Sequence, residues 1–174
     1  CKVEFNKLIK NSKKKPLIFA IIQGGKNKKL RKYCTQELIK IGFDGYAFGG
    51  WPVDGKGKFQ HDLLKYTASL MPNNKPKYAM GIGFPEDIVF CAQAGYNLFD
   101  CVIPTREARN NRLYSFKTNP KKLTIKNLKT NKFYDYFRAR NSKHVSDLQP
   151  ISRFCNCYTC KNYSRSYLYN LFKQ

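Results

Sequence analysis

Acidic side chains are scarce. Eleven Asp and Glu stand against 33 Lys and Arg in 174 residues, leaving a formal charge of +22. That is far more than solubility requires and predicts attraction to a polyanion such as nucleic acid, with an anionic membrane surface as the competing reading. Long apolar runs are missing too: nothing approaches the ~20 residues that span a bilayer. No basic start, apolar middle and small-residue cleavage site marks a secretory leader, so a soluble, cytoplasmic chain with no membrane partner is expected. Histidine occurs twice, as His61 and His144, and neither has an evident claim to be a metal ligand. No repeat or low-complexity linker divides the chain. The lysine-rich stretches "NSKKK" and "GGKNKKL" can arise from genome composition as easily as from binding, so no single lysine cluster identifies a surface.

What is present suffices for a folded domain: 42% of residues are hydrophobic and 15% aromatic, enough apolar area for a core and too much for wholesale disorder. Of the seven cysteines, Cys155, Cys157 and Cys160 sit together while Cys1, Cys34, Cys91 and Cys101 are scattered. This pattern favours a metal site plus thiols in a reducing compartment over a disulfide framework.

From residue 16 to 105 short apolar runs alternate with amphipathic ones. "LIFAII", "DGYAFGG", "KYAMGIG" and "NLFDCVIP" have the near-continuous apolar character of parallel strands covered on both faces. "NKKLRKYCTQELIKIG", "FQHDLLKYTASLM" and "PEDIVFCAQAG" have helical spacing. The fold class is therefore α/β, a repeating βα unit that belongs either to an open doubly wound sheet or to half of a closed barrel. Residues 106–154 are basic, aromatic and turn-rich, with weak alternation suggesting a β-ribbon or an irregular insertion. Beyond them a cysteine cluster opens the helix-like "KNYSRSYLYNLF".

In α/β architectures chemistry collects at the C-terminal ends of strands. Here those ends carry Gln23-Gly24-Gly25, Gly49-Gly50, Gly81-Ile82-Gly83 and Asp100. The glycines admit a flat ligand close to the backbone or simply make tight turns, and the Gln23 amide offers both a donor and an acceptor. Asp100 interrupts an apolar strand with a charge that must find water, a partner or a substrate. It is either a capping or salt-bridging acid, with Arg106 or Arg109 as its partner, or a carboxylate nucleophile for a sugar carbon. Arg106 and Arg109 are expected on a loop, suited to a phosphodiester or a base edge unless they are merely solvated. "CNCYTC" supplies three of the four thiolates or imidazoles that a structural Zn2+ takes.

Taken in order, "IIQGG", "IGFDGYAFGG", "YAMGIGFPEDIVFCAQAGYNLFDCVIPTREARN" and "CNCYTCKNYSRSYL" resemble the tRNA-guanine transglycosylases, or queuine tRNA-ribosyltransferases. The resemblance runs from about residue 16 to 117 and again from about 144 to 174. It implies the C-terminal half of a TIM (β/α)8 barrel with a zinc-binding subdomain. The expected layout is a partial barrel over 1–117, a basic insertion over 118–154, and the start of the zinc subdomain over 155–174. It also implies exchange of guanine at the tRNA wobble position for a 7-deazaguanine such as queuine, in a homodimeric or heterodimeric enzyme. On this resemblance Asp100 matches the nucleophile that holds tRNA covalently at C1′ of the ribose. Gln23, Gly50, Met80 and Gly81 match the base pocket. Gly81, Ile82, Gly83, Phe84, Pro85, Glu86 and Asp87, with Thr105, Arg106, Glu107, Ala108 and Arg109, match the segments that touch the anticodon. Cys155, Cys157 and Cys160 match three ligands of a structural Zn2+.

The departures are equally specific. The family has a further N-terminal half with a general-base aspartate and a base-binding aspartate, and a fourth zinc ligand, a histidine, downstream of the cysteines. None of these is matched, so a C-terminal fragment inactive alone is expected. Where many bacterial members read Gly-Gly-Leu-Ala-Val-Gly-Glu, this chain reads "GGWPVDG", with Trp51 for the leucine and Gly55 for the glutamate. That leaves open which deazaguanine is taken. The alternatives are a noncatalytic tRNA-binding subunit and a zinc-containing nucleic-acid-binding module.

Overall fold

The computed structural model describes residues 1–128 and 133–174. Within the expected 118–154 insertion, residues 129–132 therefore lie outside the described residues. Two compact units account for the chain, one formed by residues 1–82 and 90–101, the other by 83–89 and 102–174.

The first unit follows from the apolar alternation. A short helix α1 (Lys2–Leu8) precedes strand β1 (Phe19–Ile22), helix α2 (Lys28–Ile41), β2 (Gly45–Phe48), α3 (His61–Leu70), β3 (Lys77–Met80), α4 (Pro85–Gln93), whose residues up to Val89 fall in the second unit, and β4 (Leu98–Asp100). The strands form one parallel sheet in the order β1-β2-β3-β4. Helix α2 starts where the Asn27 side chain accepts the Lys29 and Leu30 amides at 2.9 and 3.1 Å, and stops at Gly42 with φ +75°, as cap chemistry prescribes. All four residues of β2 are buried, and with Ile22, Leu64, Ala68, Ala79 and Cys91 they form the core. Fully burying a side chain the size of Ile22, Phe48 or Leu64 contributes ~1.5–3 kcal/mol. Lys77, buried on β3, is satisfied by Ala68 O at 2.9 Å and Asn73 Oδ1 at 3.0 Å.

The second unit is built on an antiparallel ribbon. Helix α5 (Ile103–Arg109) leads into β5 (Arg112–Phe116), and the four-residue α6 (Ile125–Leu128) precedes β6 (Tyr134–Arg138), which pairs with β5 from Arg112↔Arg138 to Phe116↔Tyr134. The last elements are α7 (Tyr158–Asn162) and α8 (Arg165–Lys173). Phe137, Ala139, Ile151 and Leu168 form the core, with Leu113, Cys160, Tyr163 and Phe172 packed around it.

The parallel sheet and the ribbon agree with the pattern in the sequence. Two boundaries do not. The strand expected to run through "NLFDCVIP" ends at Asp100, and α5 begins three residues later with Pro104 in its first turn and the Val102 carbonyl accepting the Arg106 amide at 2.8 Å. Proline there loses no hydrogen bond and its fixed φ suits the helix. Arg106 and Arg109 therefore lie on a helix, not on the expected loop. The single helix expected from "KNYSRSYLYNLF" is broken at Tyr163, and Ser164 caps α8 by accepting the Tyr167 amide at 3.1 Å. No disulfide joins any of the described cysteines.

Candidate active site

Parallel strands place their C-terminal ends along one edge of the sheet, so Gln23, Gly49-Gly50, Met80-Gly81 and Asp100 share that edge. The register pairs Met80 directly with Asp100. Asp100 is exposed, and one oxygen, Oδ1, is pinned twice: the Tyr78 hydroxyl donates to it at 2.7 Å and the Gly81 amide at 3.1 Å. Within its own unit Oδ2 accepts no hydrogen bond and Asp100 enters no ion pair. The contact with Tyr78 has a simple origin. Tyr78 pairs with Leu98, so Asp100 is its diagonal neighbour on the same sheet face, within reach of a long side chain. The same bond to Asp100 pushes the Tyr78 phenol above its ordinary pKa, which keeps it a donor.

Gly81 has a left-handed φ of +73°, which costs glycine little, and its amide donates to Asp100. Gly49 is required for a different reason. A Cβ there would lie 2.6 Å from Ile22 O and 2.8 Å from Gln23 Cδ, so only glycine lets Gln23 cross the end of β2. Gln23 is exposed and its own amide donates to Cys34 Sγ at 3.4 Å. Gly50 is exposed with φ +95°. Cys34 and Cys101 are half-buried while Cys91 is fully buried.

The segment from Gly81 to Asp87 offers less than its length suggests. Ile82 and Gly83 are buried, Phe84 is half-buried, and Pro85 opens α4. In the second unit Glu86 accepts the Tyr134 hydroxyl at 2.7 Å. Burial, with Glu86 adding to it, pushes the Asp87 carboxyl up to about 6. On α5, Thr105, Arg106 and Arg109 are exposed, Ala108 is half-buried and Glu107 is buried. Glu107 is gripped by Arg112, with Nε 2.6 Å from Oε2 and Nη2 donating to Oε1 at 2.9 Å. The helix therefore turns its acid inward and its two bases, one turn apart, into solvent.

Sequence reasoning missed Tyr78 and Arg31. Arg31 is buried on α2 and holds the backbone at the ends of β1 and β2. Its signal was its place among Cys34, Thr35 and Leu38 on the i, i+3, i+4, i+7 face, hidden by the lysines beside it.

The Sγ atoms of Cys155, Cys157 and Cys160 all lie within 4.8 Å of one another. Tetrahedral Zn–S bonds of ~2.3 Å set sulfurs ~3.8 Å apart, so the trio fits a Zn2+ after a small contraction. The donors are soft and Zn2+ is the structural ion that soft thiolates favour. The Cys160 amide and Cys155 draw the Cys157 thiol below its ordinary pKa, while burial pushes Cys160 up to about 11. Neither histidine joins the trio: His144 is buried against Phe137 and 3.5 Å from Asp147, and His61 packs between Phe59 and Phe90.

Among the described residues no helix is long and apolar enough to cross a membrane. A family model described as queuine tRNA-ribosyltransferase matches residues 1–174. Proteins named queuine tRNA-ribosyltransferase are similar to the chain: that of Buchnera aphidicola is 44% identical over 94% of the chain. Those of Blochmanniella pennsylvanica and Mannheimia succiniciproducens are 45% and 42% identical over 89% and 91%. These stretches cover 40%, 38% and 38% of the respective relatives, so the chain spans about two fifths of the length of the curated relatives it matches.

Proposed function

Because the chain belongs to the queuine tRNA-ribosyltransferase family, we propose that it supplies the nucleophile-bearing part of a tRNA-guanine transglycosylase, one that replaces guanine at the wobble position with a 7-deazaguanine. The observation that carries this reading is the state of Asp100: an exposed carboxylate at a strand end with Oδ1 held by two neutral donors and Oδ2 open. Oδ2 attacks C1′ of the wobble ribose as the bond from C1′ to N9 breaks, and guanine leaves with the electron pair and acquires a proton. The incoming base gives up its N9 proton and attacks C1′, which restores the carboxylate. Gln23, Gly50, Met80 and Gly81 offer amide, backbone and thioether contacts to the flat base. Arg106 and Arg109 take phosphates around the anticodon. Proximity and preorganisation supply most of the rate, since the exchange needs no redox cofactor.

The four βα units are proposed as half of a closed barrel, and the proton carrier as part of the relatives' remaining length. Cys155, Cys157 and Cys160 would hold a structural Zn2+ whose bonds tie α7 to the chain before it. A homodimer or heterodimer working on tRNA in the cytoplasm completes the proposal.

The test is covalent trapping in the full-length protein. Incubation with tRNA and separation on a denaturing gel is expected to give an adduct that disappears in Asp100→Ala, while tRNA affinity stays within about twofold because Asp100 touches no phosphate. An adduct that survives Asp100→Ala refutes the assignment. Salt-sensitive tRNA retention without any adduct in the parent leaves only a binding role.

A further inference from the structure

Arg31 is 1% exposed, yet among the described residues no carboxylate pairs with it. It also lies near the N-terminus of α2, where a helix disfavours a cation. A buried charge in that position is unfavourable unless it has other work, and burial lowers its pKa from the ordinary value. All of its directed contacts go to backbone carbonyls. Nε donates to Gly25 O at 2.7 Å, Nη1 to Ile22 O at 3.3 Å and Nη2 to Gly49 O at 2.9 Å. The guanidinium lies over the Phe48 ring at 4.4 Å. Ile22 O also accepts the Gly49 amide at 2.9 Å, so one carbonyl joins β1, β2 and the arginine.

These three acceptors stand close in the chain to Gln23 and Gly50. Ile22 and Gly25 enclose Gln23 and Gly24, and Gly49 precedes Gly50. The packing allows no slack at Gly24, where a Cβ would stand 2.7 Å from the Arg31 backbone nitrogen and 2.9 Å from its Cγ. A Cβ at Gly50 would stand 3.6 Å from Nη2.

We propose that Arg31 is a positioning residue for heterocycle recognition: its planar guanidinium fixes the spacing between the β1 end that carries Gln23 and the β2 end that carries Gly50. Three donors in one rigid plane hold three carbonyls at set separations, which an ammonium on a flexible stem cannot do. The inference rests on the reading of Gln23 and Gly50 as base-binding positions. It predicts that disturbing Arg31 weakens the base and leaves the grip on RNA alone.

The experiment compares the full-length parent with Arg31→Lys and Arg31→Met, measuring the Kd for free guanine by calorimetry, the Kd for tRNA by filter binding, and thermal stability. Arg31→Lys is expected to weaken guanine about tenfold or more, with tRNA affinity within about twofold of the parent. If the lysine variant does not fold, Arg31→Met, which removes the buried charge, is expected to show the same selective loss. A merely structural arginine would lower stability without separating the two ligands. Unchanged guanine affinity in a folded variant, equal losses for guanine and tRNA, or failure of both variants to fold each overturns the positioning role. A parent that binds no guanine overturns the base-site reading and this inference with it, whereas a parent that binds guanine beside an unaffected variant overturns this inference alone.

Discussion

Removing the Tyr78 hydroxyl is the sharpest way to question Asp100, because the two half-reactions respond differently. Tyr78 donates to Asp100 Oδ1 at 2.7 Å, and after its loss only the Gly81 amide at 3.1 Å remains. A hydrogen bond to a charged carboxylate is worth about 1.5–3 kcal/mol and one to a neutral carbonyl about 0.5–1.5. The site is open to water, so the lower ends apply. Tyr78→Phe then costs the free carboxylate about 1.5 kcal/mol and the ribosyl ester about 0.5. The difference of about 1 kcal/mol favours the ester, so the adduct equilibrium rises roughly fivefold. Meanwhile the freed side chain spends less time aligned, which slows attack by about tenfold. A formation rate down about tenfold and an equilibrium up fivefold require release to slow about fiftyfold. Rapid quenching with tRNA followed by denaturing gels reads both rates in the full-length protein. Tyr78→Phe with formation and release both within twofold of the parent, or with less adduct at equilibrium, refutes the account of Oδ1 as the held oxygen and Oδ2 as the attacking one.

Two further predictions concern the second unit. Replacing both Arg106 and Arg109, exposed on α5, by alanine is expected to weaken tRNA binding and flatten its dependence on log salt by about 1.4–1.8, at roughly 0.7–0.9 for each phosphate no longer neutralised; a filter-binding salt series with an unchanged slope refutes their role. Asp87 makes stability pH-dependent. Its folded pKa of about 6 lies above the ordinary value of 3.8, so the folded state keeps the proton that the unfolded chain releases, and stability from this group is lost as pH rises from about 4 to 6. Urea unfolding should show the parent losing about 1–2 kcal/mol relative to Asp87→Asn across that window, a shift discounted because the group is partly wet; a flat difference refutes it.

The parallel sheet was legible because buried strands have no polar face: β2 reads GYAF and all four residues are covered. The end of β4 was not, because "CVIP" is β-branched text that suits a strand while Pro104 suits a first helical turn equally well. Tertiary context decides between them, and it decides for α5. That choice alters what the basic segment is. On a helix, Arg106 and Arg109 are three residues apart and share a face, while Glu107 turns inward to Arg112. The sequence displayed these charges as one loop, and only the helix separates structural acid from exposed bases.

The same sorting explains how a site can be read from a chain so poor in acids. Most of the few acids are occupied locally: Asp44 takes the Ile18 amide, Asp54 those of Lys56 and Lys58, Glu107 is held by Arg112, and Asp147 by Arg165. With 33 Lys and Arg against 11 Asp and Glu, most of the bases have no acid of their own, and an excess of that kind attracts a polyanion. Asp100 differs in its place: like Asp44 and Asp54 it takes neutral donors, a phenol and a backbone amide, but it stands exposed at the C-terminal end of a strand of the parallel sheet. On the proposed reading, holding one oxygen by these two donors leaves the other for the sugar carbon.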